Sequence, residues 1–166
     1  MYKTIDDFLT HWNEEVKKTI HLFETLTEDS LNQKVYRQGR ELGQLVWHIV
    51  QTVSELGHSM GLLEHDTLKE QKLPPFLPAV IACYRGASNH LIEAIKQKWK
   101  DSDLAEQIPI YGEHWERNRC LQVLISHQIH HRGQMTVLMR QAGLKVLGLY
   151  GPSKEEWKQM GLPAPV

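Results

Sequence analysis

The sequence predicts an all-α protein, a four-helix bundle, and three observations carry that reading. Four segments repeat apolar residues at spacings of three and four, the period of an amphipathic helix. No segment sustains the two-residue alternation of a half-buried strand. The chain has 166 residues, 41% of them hydrophobic and 23% charged, which suffices for a full core without covalent staples. Residues 1–166 read as a single domain with no internal repeat, low-complexity tract or linker.

The first helix is expected from about Thr4 to Leu26. Ile5, Phe8, Leu9, Trp12, Val16, Ile20 and Phe23 form its stripe, and Thr4 with Asp6 and Asp7 suits a helix start, where unpaired N–H groups attract oxygen and negative charge. The second runs from about Glu41 to Leu63, opened by Gly39, with Leu42, Leu45, Val46, Ile49, Val53, Leu56 and Met60 on one face. The third follows Pro74-Pro75 and continues to Trp99, with Phe76, Val80, Cys83, Tyr84, Ala87, Leu91, Ala94 and Ile95 repeating. Leu104 to Arg117 holds Pro109 and Gly112 and reads as a short extended piece or a hairpin across one bundle end. The fourth helix runs from about Asn118 to Ala142 and stops at Gly143, a residue suited to the left-handed conformation past a helix end. Beyond it, Ser153 to Met160 is short enough for one or two turns, with Ser153 as cap and Glu156 three residues later. Long connections between the helices leave crossover topologies open.

Composition excludes several functions. The formal net charge is -1, so no basic excess drives binding to nucleic acid. The first fifteen residues carry early charges and no apolar core of a secretory signal, and no run approaches the length that spans a bilayer. Cys83 and Cys120 make neither a disulfide framework nor a zinc knuckle. These features predict a cytoplasmic protein with neither nucleic-acid nor membrane partners.

One residue type is over-represented: ten histidines. Most, including His11, His21, His65, His90 and His114, read as solvated or packing residues. The exception is Ser126-His127-Gln128-Ile129-His130-His131-Arg132-Gly133-Gln134. Residues four apart share a helix face, so His131 falls in the inward stripe of Leu121, Leu124, Ile125, Gln128, Met135, Leu138 and Ala142, with His127 on its shoulder and His130 turned away. Two imidazoles one turn apart are spaced for one divalent metal. A third ligand must come from another helix, and His48, beside Leu45, Ile49 and Thr52, suits it better than His58 on the opposite face. Three His ligands leave a coordination position open for water or substrate, as catalytic sites do. Imidazole alone does not select the metal, and because only neutral imidazole ligates, occupancy is expected to fall from about pH 7 towards about pH 5. The segment nearly matches the H-E-x-x-H metalloprotease helix, but Gln128 replaces the general-base Glu, and an amide takes no proton near neutral pH. Glu55 shares roughly the His48 face and is a candidate carboxylate behind the ligands, though a solvated Glu is the simpler reading.

The pattern as a whole resembles the DinB/YfiT family of four-helix-bundle metalloproteins. The resemblance rests on Leu45-Val46-Trp47-His48-Ile49-Val50 and, more specifically, on Ile125 to Gln134 followed by Leu138-Met139-Arg140-Gln141-Ala142-Gly143. Carried over by position, the family's metal ligands fall on His48, His127 and His131, the trio that face geometry also selects. Gly133, inside the signature's tail, is expected to permit close helix packing, since Gly within a helix otherwise costs stability. The resemblance implies a left-handed, up-up-down-down bundle, a bound divalent ion (zinc or nickel), and a homodimer.

Two classes of function follow from the resemblance. The first is a metal-dependent enzyme activating a thiol or water, either an S-transferase that joins a low-molecular-weight thiol such as bacillithiol or mycothiol to a small electrophilic substrate, or a hydrolase. The second is a non-catalytic metal-binding protein induced by DNA damage or stress. An ion with a position open to a pocket favours the first; a closed, dry site favours the second. The sequence names no catalytic residue outside the ligand trio, and fold alone does not choose the chemistry.

Overall fold

The computed structural model describes residues 1–164. The four expected long helices are present as α1 (Ile5–Phe23), α2 (Leu42–Ser59), α3 (Leu77–Lys98) and α4 (Arg117–Gln141). Around the bundle, α2 packs on α3 and α4, and α1 packs on the same two, so α1 and α2 stand on one diagonal. The stripe residues Trp12, Leu42, Leu45, Ile49, Leu91, Ile95, Leu124 and Leu138 all lie in the buried core.

Helix α1 starts at a capping box: Thr4 Oγ1 accepts from the Asp7 amide (3.1 Å), and the Asp7 carboxylate accepts from the Thr4 amide (3.0 Å). It ends before the expected Leu26. The Thr25 and Leu26 amides bond carbonyls three residues back, and Thr25 Oγ1 donates to the Leu22 carbonyl at 2.8 Å, so local groups satisfy the last turn. Helix α2 likewise ends short of Leu63. Gly61 takes φ 71°, and the Leu62 and Leu63 amides both turn back to the Gly57 carbonyl at 3.0 Å. Both leucines are still buried, which is why periodicity alone overran the helix end.

Helix α3 carries Pro78 in its first turn, where a missing N–H is harmless. Phe76, assigned to its apolar stripe from sequence, sits outside it at the N-cap and is 67% exposed. Before α4, strands β1 (Gln107–Ile110) and β2 (Glu113–Glu116) form an antiparallel hairpin, with Ile110 opposite Glu113. Its loop is Tyr111-Gly112, with φ of 50° and 81°, the sign pattern of the type I′ turn that suits strand twist. Helix α4 stops where expected, at Gly143 with φ 77°. A short α5 (Lys154–Gln159) follows, capped by Ser153 and Glu156 as the sequence predicts.

Two polar groups on α4 hold the bundle in register. Gln128 is fully buried; its Oε1 accepts from the Tyr84 hydroxyl (2.9 Å) and its Nε2 donates to the Ile49 carbonyl (3.2 Å), tying α4 to α3 and α2. Arg132 is also fully buried, against Glu15 of α1. It donates to the Glu15 carboxylate, the Glu15 carbonyl (3.0 Å), Thr19 Oγ1 (2.6 Å) and the Tyr150 hydroxyl, and Tyr150 donates to Glu15 in turn. Burial raises the Glu15 pKa, but Lys18, Tyr150 and Arg132 outweigh it and hold the carboxyl below its ordinary value.

Candidate metal centre

Helices α2 and α4 pack side by side, and the facing turns bring three imidazoles together. The Nε2 atoms of His48 and His127 are 3.1 Å apart, and those of His127 and His131 are also 3.1 Å apart. One ring nitrogen from each of the three lies within 4.8 Å of the other two. Two ligands on a tetrahedral ion with bonds of 2.0–2.1 Å are separated by about 3.3 Å. The spacing is therefore that of a shared ion, and these residues could hold one. His130, one position away, is exposed and outside the group, so the helix phase read from the sequence is the one observed.

Gln134 sets the tautomer at the centre. Its Oε1 accepts from His131 Nδ1 at 2.7 Å, which places the ring proton on Nδ1 and turns the Nε2 lone pair toward the other rings. This partner was not assigned from sequence, although its position three residues after His131 could have revealed it. Burial lowers the His48 pKa to about 4, helped by the charges of His131 and Arg40. It lowers His127 to about 4 as well, with His131, His48, His130 and Arg40 adding to the effect. His131 also lies below its ordinary value through burial, while the bond to Gln134 works the other way. All three rings are thus neutral near pH 7, the form that ligates.

The remaining candidates fall elsewhere. Glu55 accepts from the Tyr111 hydroxyl at 3.1 Å and is not one of the grouped ligands; it lines a cleft that His48 also lines. Burial and the Glu55 charge push Tyr111 up to about 12, so it is a proton donor, not a phenolate, near neutral pH. Cys83 is half-buried on α3 and Cys120 is buried on α4; both are free, and neither joins the histidine group. Burial pushes the Cys120 thiol up to about 11, which suits a core residue, not a nucleophile. Gly133 contradicts its expected role: it is exposed, and a Cβ there would meet nothing within 4 Å, so no helix packs close. It lines a groove between α4 and the segment around Tyr150 instead.

Open clefts border the ring cluster. His48 borders one of about 460 Å³ with Gln51, Glu55, His58 and Lys69, and His131 borders another of about 440 Å³. Among the described residues, no helix is long and apolar enough to cross a membrane.

The profile of the DinB family matches residues 1–162. The uncharacterized protein YrdA of Bacillus subtilis (strain 168) is 41% identical over 165 residues, covering 99% of each chain. The crystal structure of a DinB-like protein from Bacillus cereus ATCC 10987 superposes with a TM-score of 0.84 at 37% identity, over 90% of this chain and 100% of that one. A DinB-like protein of Bacillus subtilis, YjoA, shares the fold with a TM-score of 0.70 at 17% identity, over 89% of this chain and 99% of its own.

Proposed function

The chain belongs to the DinB family, and from that premise we propose that it is a metal-dependent enzyme whose ion is held by His48, His127 and His131. The observation that carries the proposal is the convergence of three neutral Nε2 donors bordered by open clefts. A divalent ion bound there, zinc or nickel, would lower the pKa of a thiol or water at its open position. Of the two chemistries, S-transfer from a low-molecular-weight thiol to a small electrophile is preferred over hydrolysis. Hydrolysis calls for a general base near the ion, and the two carboxylates of that His48 cleft, Glu55 and Asp66, are engaged by the Tyr111 hydroxyl and the Leu68 amide.

The chain's own residues supply positioning. Gln134 orients His131, and Gln128 pins α4 to α2 so that His127 meets His48. Glu55, held by the Tyr111 hydroxyl, presents an acceptor to whatever enters the cleft. The open clefts support catalysis over a purely storage or sensing role. A homodimer belongs to the same proposal, and sedimentation at micromolar concentration showing only single chains would remove it.

The test is metal analysis of the purified protein combined with conjugation of bacillithiol, mycothiol or cysteine to a chromogenic electrophile. The expected result is one ion per chain and thiol-dependent turnover lost on chelation. Turnover indifferent to chelation would overturn the metal-dependent reading.

A further inference from the structure

Arg40, just before α2, has no assigned role, yet it borders the centre through two clefts. It lines the cleft that holds His131 and a second cleft, of about 540 Å³, that holds His48. No carboxylate among the described residues pairs with it, and the adjacent Glu41 is taken by Lys34 at 3.0 Å. An exposed guanidinium facing a cluster of metal-ligating type is repelled by any cation bound there. An anion lying between the two would be attracted by both.

The cleft around His131 shows what that anion would carry. Val35, Tyr36 and Val137 line it at 57%, 64% and 51% exposure, and Leu45 and Leu138 close its floor. Apolar side chains left open beside one cation form a subsite that is half hydrocarbon and half positive charge. We propose that Arg40 and this cleft bind an organic acid with an apolar or aromatic group, its carboxylate on the guanidinium and its apolar end against Val35, Tyr36 and Val137. Guanidinium matches a carboxylate with two parallel donors, which a neutral amide cannot reproduce. The inference names a substrate class for the proposed enzyme and so rests on that reading for its catalytic meaning, but the binding itself uses only this chain's side chains.

The experiment is an NMR titration of metal-free and zinc-loaded protein with 3-phenylpropionate and with its neutral amide. In metal-free protein the acid should bind about fivefold more tightly than the amide, the worth of one exposed ion pair, with shifts at Val35, Tyr36, Arg40 and Val137, and zinc loading should widen the gap. Arg40→Gln should bring the metal-free ratio to about one while amide affinity and zinc content stay unchanged. Equal affinities for acid and amide in the unaltered protein would overturn the subsite. So would a preference surviving in metal-free Arg40→Gln, because the carboxylate would then not sit on the guanidinium. Val137→Asp converting a dimer to monomers would overturn it too, with a second copy as the occupant. An Arg40-dependent preference in a protein that takes up no zinc would sustain the subsite and remove the metal-dependent function.

Discussion

His130 and His131 are adjacent in sequence and opposite in consequence, because 100° of helix rotation separates them. One is exposed; the other has its Nε2 3.1 Å from that of His127. His131→Ala is therefore expected to abolish tight metal uptake, and His130→Ala to leave metal content nearly unchanged, both read by elemental analysis. The reverse pattern would place the site on the wrong helix face. Gln134 acts one bond further out. Gln134→Leu removes the acceptor that fixes the His131 tautomer, and a loss of about tenfold in metal affinity is expected, the lower end for such orienting partners. Competition with a chelating dye would measure it, and an unchanged affinity would mean that packing alone orients the ring.

Between elements, the buried Arg132–Glu15 pair joins α4 to α1, and Tyr150 ties the segment after α4 to both. Removing one member leaves a buried charge under-compensated: Arg132→Met should destabilise by about 3 kcal/mol in urea unfolding, because Glu15 keeps Lys18 but loses the guanidinium. Exchanging both, Glu15→Gln with Arg132→Met, should cost clearly less than the single change. A double variant as unstable as Arg132→Met would show that shape, not charge pairing, matters at this joint. The pair also has a pH signature. Because the folded Glu15 pKa lies below its ordinary 4.5, the unfolded chain takes up the proton first as pH falls. The stability it contributes is complete above that ordinary value and is lost as pH drops through the folded one.

For the molecule as a whole, the histidine centre makes stability depend on pH and on metal. In metal-free protein, His48 and His127 are held at about 4 against an ordinary 6.5. The unfolded chain thus binds more protons between these values, and stability should decline as pH falls from 6.5 towards 4, with no further loss from these groups below it. Thermal unfolding across that range checks it, and a flat profile would contradict it. The lowered values also move proton competition for the site below the window of about 7 to 5 that free imidazole sets. Zinc should stay bound at pH 5 and leave nearer 4. At a free concentration a hundred times Kd, the ion should add about 2.7 kcal/mol to stability, lost on chelation.

Local chemistry by itself determined the four helices, their stripes, the Thr4, Ser153 and Gly143 boundaries, and the inward turn of His48, His127 and His131, because helix period and caps depend on neighbours a few residues away. Only the tertiary structure decided features that need residues distant in sequence. Helix ends near Leu26 and Leu63 were invisible to periodicity, since these leucines stay buried after the helix has stopped. Glu15, an ordinary charged residue on its own helix, is buried because Arg132 reaches it from 117 positions away. Gly133 reads as a packing glycine within α4, yet no neighbouring helix approaches it. The acidity of the histidines belongs to the same class: burial against a second helix and the field of Arg40 exist only once the chain has folded.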